Sequence, residues 1–111
     1  FEIKELREDF WKNVKVPGKS DGLNTELEKA GRVADFLELG ELFAKDALYR
    51  NESCGGHFRE EYATKDGEAE RDDKNYTFVS AWEYKGEPSD AELHKEKLNF
   101  KDIEVKVRSY K

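Results

Sequence analysis

The chain has no methionine, one cysteine and two prolines, and none of its apolar runs approaches the roughly 18 residues that a membrane-spanning helix needs. Direct membrane insertion is therefore not expected. A lone Cys54 has no internal partner, so no disulfide framework and no sign of an oxidising compartment is present. The 20 basic residues are scattered among 26 acidic ones and form no stripe that would neutralise phosphates, so nucleic acid is not an expected partner. No G-x-G-x-x-G loop occurs: Gly55-Gly56 has the wrong spacing and follows a helical pattern instead of opening one. No charged-then-apolar leader opens the sequence, which fits a cytoplasmic setting. With Phe1 already in a helical pattern and no methionine, the chain reads as a piece of a larger protein.

What is present is charge and aromatics. Charged residues make up 41% of the 111, well above the about 25% of ordinary domains, while Leu, Ile, Val and Phe number 24. That is just enough for a thinly cored folded domain. Trp11, Trp82 and twelve other aromatics supply buried area that offsets the scarcity of aliphatics.

Ile3, Leu6, Phe10 and Val14 recur at helical spacing and predict an amphipathic helix over 1–15, closed by the loop around Pro17-Gly18. Thr25-x-x-Glu28 has the spacing of a capping box and predicts the start of a long helix over 25–50. Gly31 and Gly40 lie inside it, yet the periodicity of Leu27, Ala30, Ala34, Leu37, Leu42 and Leu48 favours one helix over two. The wide apolar arc around Phe36, Leu39 and Phe43 predicts packing on more than one side, and Lys45 and Arg50 suit the dipole at the end. Residues 51–75 read as a turn and an acidic loop with one helical turn near Asp72. Tyr76, Phe78, Trp82 and Tyr84 alternate as a strand, with a turn over 85–90. Leu98 and Phe100 on even positions, then Ile103, Val105 and Val107 on odd ones, predict a second strand with a break at Lys101-Asp102, completing a hairpin over 76–108. The fold class is α+β, mainly helical, one domain over 1–111 with a small antiparallel hairpin.

The candidate chemistry is concentrated in Glu52-Ser53-Cys54-Gly55-Gly56-His57-Phe58-Arg59. Cys54 and His57 stand at a spacing that suits a thiolate–imidazole pair or two metal ligands. A structural zinc site needs four ligands, and the only other histidine, His94, falls in what reads as a distant polar turn. A nucleophile would also need an orienting group and an oxyanion site. On the residues alone the favoured reading is architectural: the glycines turn the chain, and His57 and Arg59 bond to backbone or carboxylate. The acidic pairs Glu60-Glu61 and Asp72-Asp73 read as solvated surface.

Asn24-Thr25-Glu26-Leu27, then Glu52-Ser53-Cys54-Gly55-Gly56-His57-Phe58-Arg59-Glu60, then Arg71-Asp72-Asp73-Lys74-Asn75-Tyr76, and finally Arg108-Ser109-Tyr110 occur in this order. In these four stretches the chain resembles the C-terminal domain of the flavoprotein subunits of succinate dehydrogenase and fumarate reductase, and also L-aspartate oxidase. The resemblance implies a bacterial FAD-dependent oxidoreductase of the tricarboxylic acid cycle and electron transport. Such a parent interconverts succinate and fumarate by hydride transfer to FAD, passes electrons to an iron-sulfur subunit, and lies peripherally on the cytoplasmic face of the inner membrane through partner subunits. The family's flavin-binding and substrate-binding residues belong to earlier domains, so no catalytic, cofactor or metal residue is carried onto this sequence. The motif turn Glu52, Ser53, Cys54, Gly55, Gly56, His57 and Arg59 is carried over only as a structural or domain-interface element. Cys54 stands where most relatives have Arg, so no ion-pair role is transferred to it. The expected partners are the remainder of the flavoprotein and the iron-sulfur subunit, with self-association of the isolated piece. Two readings from other classes remain open: a free-standing interaction module, and a small thiol enzyme centred on Cys54 and His57.

Overall fold

The computed structural model describes residues 2–19 and 21–109. Helix α1 spans Glu2–Asn13 and α2 spans Thr25–Tyr49, a single 25-residue helix with Gly31 and Gly40 in its interior. The expected helix at Phe1 and the family ending at Tyr110 lie outside the described residues. The α2 cap differs from the expected capping box by one residue. Asn24 is the N-cap, its side-chain oxygen accepting from the backbone N–H of Glu26 and Leu27 at 3.1 and 3.2 Å, so Thr25 is already helical. Asparagine accepts these orphan donors as well as a hydroxyl does. Its amide also donates to the Pro17 carbonyl, which fixes the loop against the helix start.

The long helix packs on one side only, against the expectation from its apolar arc. Its half-buried stripe runs through Ala30, Ala34, Leu37, Glu41 and Lys45, and meets the Ile3, Arg7 and Phe10 side of α1 and the short turn Pro88–Asp90. Phe36 and Phe43 are 64% and 69% exposed. Small residues at 30 and 34 allow a close helix approach, but among the described residues no further layer covers the opposite face.

Beyond α2 the acidic segment is ordered by backbone bonds: Ala63 and Ala69 form a bridge, and Gly67 takes φ +79 in the turn between them. The predicted helical turn near Asp72 is α3, Asp73–Tyr76, capped by the Asp72 carboxylate accepting from the Asn75 N–H. Tyr76 therefore ends a helix instead of opening the strand. Strand β1 is Phe78–Glu83, with Phe78, Ser80 and Trp82 turned inward; Tyr84 lies past its end.

The second strand is displaced from the sequence expectation. Strand β2 is Glu92–Lys97, antiparallel to β1 in the register Phe78↔Lys97 to Glu83↔Glu92. Pairing resumes as soon as the Pro88–Asp90 turn closes, and it runs out where β1 begins, so among the described residues the run 98–107 has no strand to pair with. Lys101 and Asp102 form a bend, but it lies past the end of β2 and interrupts no strand, so the expected break within the second strand is not there. The segment then returns past α3, where Arg71 donates to the Lys106 carbonyl at 3.2 Å.

Polar and aromatic pins hold the hairpin to α2. Lys45 Nζ donates to the carbonyls of Ser89 and Ala91 at 2.9 and 2.7 Å and lies 4.8 Å from the centre of the Trp82 ring. Trp82 Nε1 donates to Asp46 at 2.7 Å, and Arg7 of α1 pairs with both Glu41 and Glu87. Lys45 therefore serves the turn carbonyls of the hairpin and not the end of its own helix. Among the described residues no helix is long and apolar enough to cross a membrane.

Candidate functional site

The turn that follows α2 is built around two buried polar side chains. Ser53 is fully buried and Glu52 is 2% exposed. The Ser53 hydroxyl donates to the Arg59 carbonyl at 3.1 Å and accepts from the Arg59 N–H at 2.9 Å, while its own N–H donates to the Glu70 carbonyl. One oxygen of Glu52 accepts from Arg50, and the other accepts from the Asp72 N–H at 2.9 Å. A buried carboxylate is tolerated only when paired in this way. Glu52 and Ser53 together stitch residues 50–59 to residues 70–72.

Between them Cys54 and His57 exchange backbone hydrogen bonds of 2.8 and 3.1 Å across Gly55-Gly56. Gly55 takes φ +59, the conformation that a two-residue reversal asks of its first central residue and that glycine accepts without strain. The side chains on the far side reach back to the end of α2. His57 Nε2–H donates to the Arg50 carbonyl at 3.1 Å, and Arg59 Nη1 donates to the carbonyls of Leu48 and Arg50 and to Asn51 Oδ1. These carbonyls lie at the negative end of the helix, where unsatisfied acceptors and the dipole favour a guanidinium. Arg59 also pairs with Glu61; that carboxyl is held below its ordinary range by a backbone hydrogen bond first and by Arg59 second. Arg50 is the C-cap of α2, and its guanidinium lies over the rings of Tyr76 and Phe78 at 5.7 and 5.9 Å.

The seven motif residues thus form one compact unit in which Glu52, Ser53, His57 and Arg59 direct their polar atoms at backbone or at each other's partners. Cys54 borders a separate shallow recess of about 350 Å³ with Arg71 and Arg108. The Arg71 pKa is raised, chiefly by its hydrogen bond to Asp73. His94 is not in a turn: it is on β2, with Nε2 2.7 Å from Glu83. Sequence reading missed the roles of Arg50 and Asp72, although the short spacing of Arg50 to Glu52 was a signal for an ion pair.

Comparison with curated proteins and with solved structures found no match. A family model does match, and it covers residues 1–110, so that each of the four sequence stretches noted above falls within it. The chain belongs to the family described as the fumarate reductase flavoprotein C-terminal domain.

Proposed function

We propose that this chain is the C-terminal domain of the flavoprotein subunit of a succinate dehydrogenase or fumarate reductase, and that its part is structural. The parent subunit interconverts succinate and fumarate by hydride transfer through FAD and passes electrons to an iron-sulfur subunit. The catalytic and flavin-binding residues reside outside this chain. The observation that carries the structural role is the commitment of the motif turn. Ser53 and Glu52 are buried and bonded, His57 Nε2 and Arg59 Nη1 donate to the carbonyls at the end of α2, and Arg59 Nε and Nη2 donate to Glu61. A dicarboxylate needs convergent cationic donors that are free to meet it. A pyrophosphate needs a glycine turn feeding a helix N-terminus, whereas Gly55-Gly56 follows a helix C-terminus.

The exposed faces support docking against the remainder of the flavoprotein. The accessible surface is 9284 Å², against about 6300 Å² for a compact monomer of this mass. On this reading the parent is bacterial and lies peripherally on the cytoplasmic face of the inner membrane through its partner subunits.

The test uses the intact flavoprotein. Ser53→Ala and Arg59→Ala lower the yield of folded, FAD-loaded subunit, while kcat of what does assemble stays within about twofold of the parent. A large loss of kcat in a variant that folds and binds FAD normally would place the turn in the chemistry and overturn the reading. Saturable FAD binding or succinate oxidation by the isolated chain would do the same.

A further inference from the structure

The outer face of the hairpin carries a cluster that neither the fold nor the proposed function employs. The register sets Glu83 opposite Glu92 and Ala81 opposite His94, so Glu83, Glu92 and His94 share one exposed face of the sheet. Like charges directly opposed across a strand pair destabilise it. Here a cation sits with them: Lys85 Nζ lies 2.6 Å from Glu83 Oε1 and 3.4 Å from Glu92 Oε2. On the other side His94 Nε2 lies 2.7 Å from Glu83 Oε2. One ligand atom from each of the three residues comes within 4.8 Å of the others. Ligand atoms in a tetrahedral zinc shell, each about 2.1 Å from the metal, stand about 3.4 Å apart. Small rotamer changes in exposed carboxylates close that difference.

We propose that Glu83, Glu92 and His94 form a surface site for a zinc-like divalent transition-metal ion, and that the Lys85 ammonium is a tethered competitor holding the cation position when no metal is bound. The donor set decides the class of metal. An imidazole with two carboxylate oxygens suits zinc and its first-row neighbours, whereas calcium and magnesium favour all-oxygen shells of higher coordination number. Three protein ligands leave the remaining position to water. Two carboxylates and an imidazole gathered around one position favour a cation there, and a doubly charged ion with directed ligands answers that better than one ammonium.

The test is a calorimetric titration of the tag-free, chelator-stripped chain with zinc chloride, with calcium chloride as a second arm. Zinc is expected to bind at one ion per chain and calcium not measurably. His94→Ala lowers zinc affinity at least about tenfold, in line with the sensitivity of metal sites to lost support. Lys85→Ala raises the affinity several-fold because the competitor is gone, an effect that a solitary surface histidine would not show. In the unaltered chain the His94 ring resonances shift on zinc addition, a readout independent of any variant's folding. Absence of saturable zinc binding, binding unchanged by His94→Ala or by Lys85→Ala, or binding abolished by Cys54→Ser in place of His94→Ala each overturns the proposal.

Discussion

At the residue scale the stability of the motif turn rests on a hydroxyl. Ser53 is fully buried and makes both bonds that fix Arg59 beside it. Ser53→Ala leaves a buried N–H and C=O without that partner, and is expected to lower unfolding free energy by about 1–3 kcal/mol in a urea titration. Gly55 at φ +59 makes a second, smaller case: Gly55→Ala is expected to cost about 1 kcal/mol, since the strain is in the backbone and no neighbour lies within 4 Å of the added carbon. Titration belongs at this scale too. Glu61 and Glu83 both have pKa values lowered in the folded state. Their contributions to stability are therefore fully present above the unfolded carboxylate value of about 4.3 and are lost as pH falls through the lower folded value. An NMR titration should place the Glu83 midpoint below that reference, and Lys85→Ala should raise it. A midpoint at or above the reference would contradict the Lys85 pairing.

At the scale of elements, α2 organises the chain. It receives α1 on one side, the hairpin turn through Lys45, and the motif turn at its end through Arg59. Its start depends on Asn24. Asn24→Ala is expected to cost about 1 kcal/mol, whereas Thr25→Ala, one residue inside, costs far less; equal effects in thermal unfolding would restore the threonine cap. Gly31 and Gly40 meet no atom within 4 Å at the position of an added Cβ. Gly31→Ala and Gly40→Ala should each stabilise the isolated chain by about 0.5–1 kcal/mol, because alanine loses less conformational freedom in a helix. In the intact flavoprotein the same substitutions test the docked state. A substitution that stabilises the isolated chain but lowers assembly of the whole marks the helix face covered by the parent.

On the scale of the whole molecule, the shape is extended: the radius of gyration is 19.4 Å and the longest dimension 57 Å, against about 13 Å expected for a compact domain of this length. Trp11 is 71% exposed, and Phe36 and Phe43 stand open on α2. Large apolar side chains left open in this way are what a self-associating surface offers. The isolated chain is expected to self-associate, with light-scattering mass rising with concentration. A strict monomer at high concentration would show that these side chains are satisfied as they stand.

The sequence by itself determined the two long helices and the family, because those rest on local periodicity, turn residues and ordered motifs. Asn24-Thr25-Glu26-Leu27 and the Glu52–Arg59 turn were legible because each is read within a few residues. Tertiary structure decided the rest. The second strand, Glu92–Lys97, has one inward apolar side chain, Leu93, so its pairing comes from the closing of the Pro88–Asp90 turn and not from an apolar pattern of its own. That register alone brought His94, which the sequence set in a distant turn, to Glu83 and Glu92. Likewise the apolar arc of α2 announced a buried face, but burial needs a second surface. Periodicity describes what a helix can offer, and only the packed chain shows what is there to receive it.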